Sequence, residues 1–177
     1  MANIVYIATS LDGYISSADG SLDWLSTVPN PGGDDLGFSE FIQRIDAVVM
    51  GRLSFETVQS FGLGWHYPVP GIILSSTLVD VPSEFKGKVD LTKGTAEEIM
   101  AFAENKGFHN LYIDGGTTIQ GFLNNDLIDE IVITEVPVLL GGGERLFGTL
   151  PNHLKFKLLS TQTLLGQMVK RHYTRDR

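Results

Sequence analysis

Apolar residues recur along this chain in two rhythms, and the rhythms alternate. Residues 3–9 (NIVYIAT) form a β-branched apolar run that predicts a strand buried on both faces. Residues 38, 41, 42 and 45 (Phe, Phe, Ile, Ile) repeat at helical spacing. The short run 47–50 predicts a second strand, 54–61 a helix and 71–75 a third strand. Residues 95–105 make the clearest helix. Thr95 followed by Glu98 is a capping box, Ile99, Phe102 and Ala103 form one stripe, and Gly107 stands where a C-cap glycine would. A strand over 110–114 and a helix over 117–123 follow, then a long apolar, β-branched stretch over 127–140. Residues 158–165 and 167–173 flank Gly166 and predict a hairpin.

Strands alternating with helices require right-handed crossovers and a mostly parallel sheet. The expectation is therefore an α/β fold, one domain over residues 1–177, with a mixed, mostly parallel sheet, helices on both faces and a C-terminal antiparallel hairpin. Two stretches rich in Gly and Pro, 28–35 and 61–71, read as surface loops. In such sheets ligands bind beyond the carboxyl ends of the strands.

Composition narrows the function classes. The 177 residues carry 13 Lys+Arg and 21 Asp+Glu, a formal charge of −8, so no basic cluster is available to neutralise a nucleic-acid backbone. With no Cys, disulfides, thiol chemistry and Cys-ligated zinc are excluded. No apolar run reaches the roughly 18 residues of a membrane helix. The N-terminus lacks a basic n-region and reads as a strand, so no signal peptide is expected and the cytoplasm is the default. None of the four His, at 66, 109, 153 and 172, has a ligand partner at metal spacing, so no metal site is expected. Lys170, Arg171, His172, Arg175 and Arg177 read as a solvated basic tail. The apolar stretch 128–140 needs burial on both faces, which a homodimer would help supply.

Three strand-to-helix junctions carry candidate chemistry. At Met50-Gly51-Arg52-Leu53-Ser54 a helix start offers free N–H groups, Arg52 a planar cationic fork and Ser54 a hydroxyl, a set suited to an anion. A plain helix start with a solvated Arg fits the spacing equally. At Leu74-Ser75-Ser76-Thr77 a strand runs into hydroxyls that suit a phosphate or a ribose, or make a Ser-rich turn. At Asp114-Gly115-Gly116-Thr117-Thr118 paired glycines let the backbone turn sharply and approach a ligand, with the N–H groups of Gly116, Thr117 and Thr118 aimed at a pyrophosphate. Neither G-x-G-x-x-G after the first strand nor G-x-x-x-x-G-K-[ST] is present, so the chain is not of the Rossmann or P-loop type.

Together these segments resemble the dihydrofolate-reductase-like superfamily, in particular its branch related to the riboflavin-biosynthesis pyrimidine reductase domain. The matching pieces are Ser10-Leu11-Asp12-Gly13-Tyr14-Ile15, Met50-Gly51-Arg52 with Ser54 and Glu56, Ile73-Leu74-Ser75-Ser76, Asp114-Gly115-Gly116, and Pro137 to Gly143 (PVLLGGG) followed by Leu146-Phe147. They span almost the whole chain in the family's order. The resemblance implies an NADPH-dependent reductase that transfers hydride to a small heterocycle, similar to 5-amino-6-(5-phosphoribosylamino)uracil reductase or dihydrofolate reductase. It implies Gly51, Arg52 and Ser54 at the nucleotide 2′-phosphate, and Ser75 and Ser76 near the adenosine. Gly115, Gly116, Thr117 and Thr118 would hold the pyrophosphate, with Ala8 against the nicotinamide. A proton source is needed. Asp35, at the start of the helix region before the Gly-Arg segment, is one candidate and otherwise an N-cap. Asp12 is the other, and otherwise it holds its Asp-Gly turn.

Two departures stand out. The family commonly has Thr where this chain has Ser54, which keeps the hydroxyl. The riboflavin enzyme usually carries a preceding deaminase domain and grips a ribose phosphate. This sequence shows neither that domain nor an evident basic cluster for such a phosphate. The rival from another class is a non-catalytic NADP(H)-binding sensor or assembly protein, which would need no proton-relay group in the cleft.

Overall fold

The computed structural model describes residues 1–177. In chain order the strands are β1 (Ala2–Ser10), β2 (Tyr14–Ser16), β3 (Ala47–Gly51), β4 (Gly71–Leu74), β5 (Val89–Thr92), β6 (Asn110–Asp114), β7 (Glu130–Val136), β8 (Glu144–Arg145), β9 (Phe156–Leu164) and β10 (Met168–Arg175). The helices are α1 (Phe38–Ile42), α2 (Arg52–Ser60), α3 (Ala96–Asn105) and α4 (Gly116–Asn124). Eight strands form one sheet in the order β5-β4-β3-β6-β1-β7-β10-β9. β5, β4, β3, β6, β1 and β7 pair parallel within it, and β10 and β9 close its far edge antiparallel. No helix is long and apolar enough to cross a membrane.

Alternation along the buried strands sorts the core into two layers. Ile4, Val48, Met50, Ile73 and Tyr112 point to one face, where α1 and α2 bring Phe41, Phe55 and Val58. Val5, Ala47, Val49, Ile72, Leu111 and Ile113 point to the other, where α3 and α4 bring Ile99, Ala103, Ile119 and Phe122. Adjacent residues of one strand thus serve opposite layers, which is why these strands read as continuous apolar runs. The capping box at Thr95 and Glu98 forms as the spacing predicts.

Several elements depart from the expectation. The stretch 127–140 is a strand only over Glu130–Val136. Pro137 follows, and proline has no N–H to continue a ladder. β7 lies between β1 and β10, so its two edges are paired within the chain. β5 is an edge strand with a single neighbour, and β2 and β8 exist only because two loops meet, with Ser16 opposite Glu144. The hairpin turns at Leu165 and Gly166, with φ of 49° and 70°.

The loop over 61–71 is more than surface. Trp65 is buried in the α1/α2 layer and its indole N–H donates to the Val69 carbonyl at 2.8 Å. It packs on Gly71, where a Cβ would lie 2.6 Å from Trp65 Cζ2 and 2.9 Å from Val89 Cγ1. Gly71→Ala is therefore expected to lower stability by about 1–3 kcal/mol, the usual cost of overpacking. Thermal unfolding checks this, and an unchanged Tm would show that the indole can move aside.

Candidate active site

The parallel strands share one carboxyl edge, and neighbours β3 and β6 send their helices to opposite faces. α2 leaves β3 toward the Phe55 layer and α4 leaves β6 toward the Ile119 layer. A sheet whose crossovers diverge between two adjacent strands leaves a crevice there. Here the crevice is a cavity of about 1370 Å³, larger than the roughly 300–1,000 Å³ of a drug-sized ligand site. Ala8, Gly51, Arg52, Ser54, Ser75, Ser76, Gly115, Gly116, Thr117 and Thr118 all line it. The ten positions come from four separate stretches of chain, and the strand order brings them together.

The helix starts differ in a way that matters for anions. α3 satisfies its own first turn through Thr95, with Glu97 and Glu98 beside it. α2 and α4 have no side-chain cap and no acid in the first turn, and both begin on this cavity. The first N–H groups of a helix have no intrahelical acceptor, and the dipole adds partial positive charge. Glycines keep the two ends close. A Cβ on Gly51 would lie 3.2 Å from Thr118 Oγ1, and a Cβ on Gly115 would run into Ser54 Oγ. Gly115 also holds φ at 86°, which side-chain-bearing residues rarely adopt.

Arg52 is the one cation on the cavity wall, and it pairs with Glu56 one turn on, Nη1 to Oε1 at 2.6 Å. The guanidinium has five donors, so this contact leaves others for a ligand. At the β4 junction Ser75 Oγ accepts the N–H groups of Thr77 and Leu78 at 3.2 and 2.9 Å, a Ser-rich turn at the cavity's edge. Tyr6, Phe38, Tyr67 and Tyr112 line the same cavity with their rings about one phenyl width apart.

The two acids singled out by sequence are elsewhere. The Asp35 carboxylate accepts the N–H groups of Gly37 and Ser39, both at 2.9 Å, and so caps the start of α1. The Ser39 hydroxyl and these N–H groups hold its pKa below the usual carboxylate value. Asp12 takes the Ser10 hydroxyl at 2.6 Å and the N–H groups of Leu140 and Gly141 at 3.1 and 2.8 Å. These bonds, the Ser10 hydroxyl foremost, hold its pKa down at about 2, and they tie the loop after β7 to the end of β1. Neither carboxylate lines the cavity.

Asp114 does. It is the last residue of β6, paired with Met50 of β3, and it lies where the crevice opens. Burial pushes its carboxyl above the ordinary value, the Gly115 N–H and the Tyr112 hydroxyl pull it partly back, and the nearby charge of Glu144 adds to the rise. Its position immediately before Gly115-Gly116 was visible in the sequence. A side chain ending a central parallel strand is where this fold presents ligand-contacting groups, and that rule would have nominated it.

Comparison with known proteins agrees with this architecture. The model of the RibD C-terminal domain matches residues 3–170. Over 175 residues, 97% of each chain, the sequence is 34% identical to the uncharacterised protein YwjB of Bacillus subtilis. A crystal structure from Shewanella sp. PV-4, of a protein proposed to act in riboflavin biosynthesis, is 50% identical and superposes over 100% of both chains with a TM-score of 0.96. Dihydrofolate reductase from Enterococcus faecalis, complexed with NADP(H), is 15% identical and shares the fold over 99% of this chain and 97% of its own, with a TM-score of 0.69. By the extent of the match and by the layout of sheet and crevice, this chain belongs to the RibD C-terminal domain family.

Proposed function

We propose that the chain is an NADPH-dependent reductase of a small heterocyclic substrate, working as one domain in the cytoplasm. The observation that carries this reading is the pair of uncapped helix starts, α2 and α4, converging on one crevice lined by glycines and a single Arg. A dinucleotide phosphate fits such a set. Gly51, Arg52 and Ser54 would hold the 2′-phosphate, and Ser75 and Ser76 the adenosine side. The N–H groups of Gly116, Thr117 and Thr118 would hold the pyrophosphate, and Ala8 would lie beside the nicotinamide. When bound, NADPH would supply the hydride that reduces the carbon of a C=N or C=O bond.

The chain's own contribution is orientation, exclusion of water and a proton. The nitrogen or oxygen of the reduced bond gains basicity and takes a proton. We assign that proton to the Asp114 carboxyl, the acid on the cavity wall whose surroundings favour the protonated form. Asp35 and Asp12 then act through the backbone that they hold.

Arg52→Ala tests the cofactor assignment. Losing a charged hydrogen bond costs about 1.5–3 kcal/mol, or roughly a tenfold or greater rise in Kd. That rise is expected for NADPH, with NADH unaffected, because only NADPH carries the 2′-phosphate. Equal weakening of both, measured by thermal shift and titration, would contradict the role given to Arg52. Tight NADPH binding without oxidation in any substrate screen would favour a binding protein over an enzyme.

A further inference from the structure

Beyond the helix starts, the cavity has an aromatic end whose charge balance is unlike that of a phosphate site. Phe38 stands at the centre of it, with ring centroids 5.8 Å from Tyr6, 6.3 Å from Tyr67 and 6.4 Å from Tyr112. Two of the three hydroxyls are used by the fold: Tyr112 donates to the Tyr6 carbonyl at 2.9 Å and Tyr6 to the Leu36 carbonyl at 2.8 Å. Nothing in the protein hydrogen-bonds the Tyr67 hydroxyl, and burial together with the charge of Asp114 keeps it protonated. This end therefore offers flat apolar walls, one free phenol donor and the Asp114 carboxyl.

The charges that reach these rings are negative but for Lys170, whose ammonium shares the Leu36 carbonyl with the Tyr6 hydroxyl. Asp114 bears on Tyr67 and Tyr112, and Glu144 bears on Asp114. From the other side Asp35, Asp34 and Glu40 bear on Tyr6, which burial and these charges push up to about 12. Arg52 is paired with Glu56 at the α2 start, in the part of the cavity assigned above to the cofactor. The next cation, Lys170, donates to the Leu36 carbonyl at 2.8 Å and does not line the cavity. A phosphate ester, with about two negative charges at neutral pH, would meet acidic side chains here and no cation on the cavity wall to answer them, since Lys170 stays outside the lining and is held by the Leu36 carbonyl.

We infer that the substrate is a planar ring that carries no phosphate and is neutral or cationic, stacked among Tyr6, Phe38, Tyr67 and Tyr112 with its polar edge toward the Tyr67 hydroxyl and Asp114. This rests on the reductase reading for the cofactor's place, and it separates the chain from reductases that act on phosphoribosyl pyrimidines.

The test is a matched pair of probes, 5-amino-6-ribitylaminouracil and its 5′-phosphate, titrated into the full chain with and without saturating NADP⁺. The unphosphorylated probe should bind at least tenfold more tightly in both series, and Tyr67→Phe should weaken it several-fold while leaving NADP⁺ binding unchanged. Equal or tighter binding of the phosphate, or binding of neither probe, overturns the inference. Failure of NADP⁺ to bind, with the tenfold preference intact, would count against the reductase reading and leave the ring site standing.

Discussion

Asp114→Asn is expected to lower kcat by about 100- to 1,000-fold, in the range of a lost general acid, and to leave NADPH affinity unchanged. The same substitution should raise Tm wherever pH lies above the folded-state pKa of Asp114. Burial lifts the folded-state pKa of Asp114 above its unfolded value of 3.8, so the native state holds this proton more tightly than the unfolded chain. Above the folded pKa the carboxylate is ionised in an unfavourable place, and stability is reduced by that amount. As pH falls through the folded pKa toward 3.8, protonation relieves the cost, and below both values it is gone. Asn is neutral throughout. The stability advantage of the variant should be full above the folded pKa and shrink as pH falls through it. Loss of activity with gain of stability is the signature of a group kept for chemistry. Melting curves across a pH series, with single-turnover NADPH oxidation, give both readouts. Asp35→Asn is the control and should leave kcat unchanged, since its carboxylate is spent on Gly37 and Ser39. Were Asp35→Asn to abolish turnover while Asp114→Asn kept it, the proton source would be the one outside the cavity.

The second large effect is expected at Gly115. Its φ of 86° with ψ of 135° lies outside the left-handed helical well and costs a residue with a Cβ about 1–3 kcal/mol, and the added methyl would meet Ser54 Oγ. Both penalties fall on the joint between β6 and α4, whose first N–H groups are assigned to the pyrophosphate. Gly115→Ala should therefore lower Tm and weaken NADPH at least tenfold. Adding Ser54→Ala removes the clashing oxygen but not the backbone strain. The double variant should recover part of the Tm, and its cofactor affinity should stay below that of the parent. Full recovery would mean that steric contact alone demands glycine here. No change in either variant would remove Gly115 from the cofactor site.

Much of the architecture was legible because it rests on local rules. The capping box at Thr95, the strand 110–114 and the turn glycine Gly166 declare themselves within a few residues. The RibD-type arrangement of Gly51-Arg52, Ser75-Ser76 and Gly115-Gly116 was likewise visible as spacing, and all of these residues meet at one cavity. β2 and β8 were not legible. They are three and two residues long and form only where distant loops meet, helped by Arg145 lying 4.6 Å over the Tyr14 ring. Asp35 and Asp12 looked like candidate acids because a carboxylate near a motif reads the same whether it caps a backbone or faces a substrate.

By itself the sequence determined the alternation of strands and helices, the glycine junctions, the acidic balance and the family. Helical and strand periodicity and the φ freedom of glycine act over a few residues and need no fold to be read. Only the tertiary structure decided that Asp114, and neither Asp35 nor Asp12, reaches the crevice, that Tyr6, Phe38, Tyr67 and Tyr112 form one wall, and that the loop over 61–71 is partly core. The physical reason is strand order. Inserting β6 between β1 and β3 brings Tyr112 and Asp114 alongside Val48 and Met50, a juxtaposition made by non-local pairing that no local periodicity encodes.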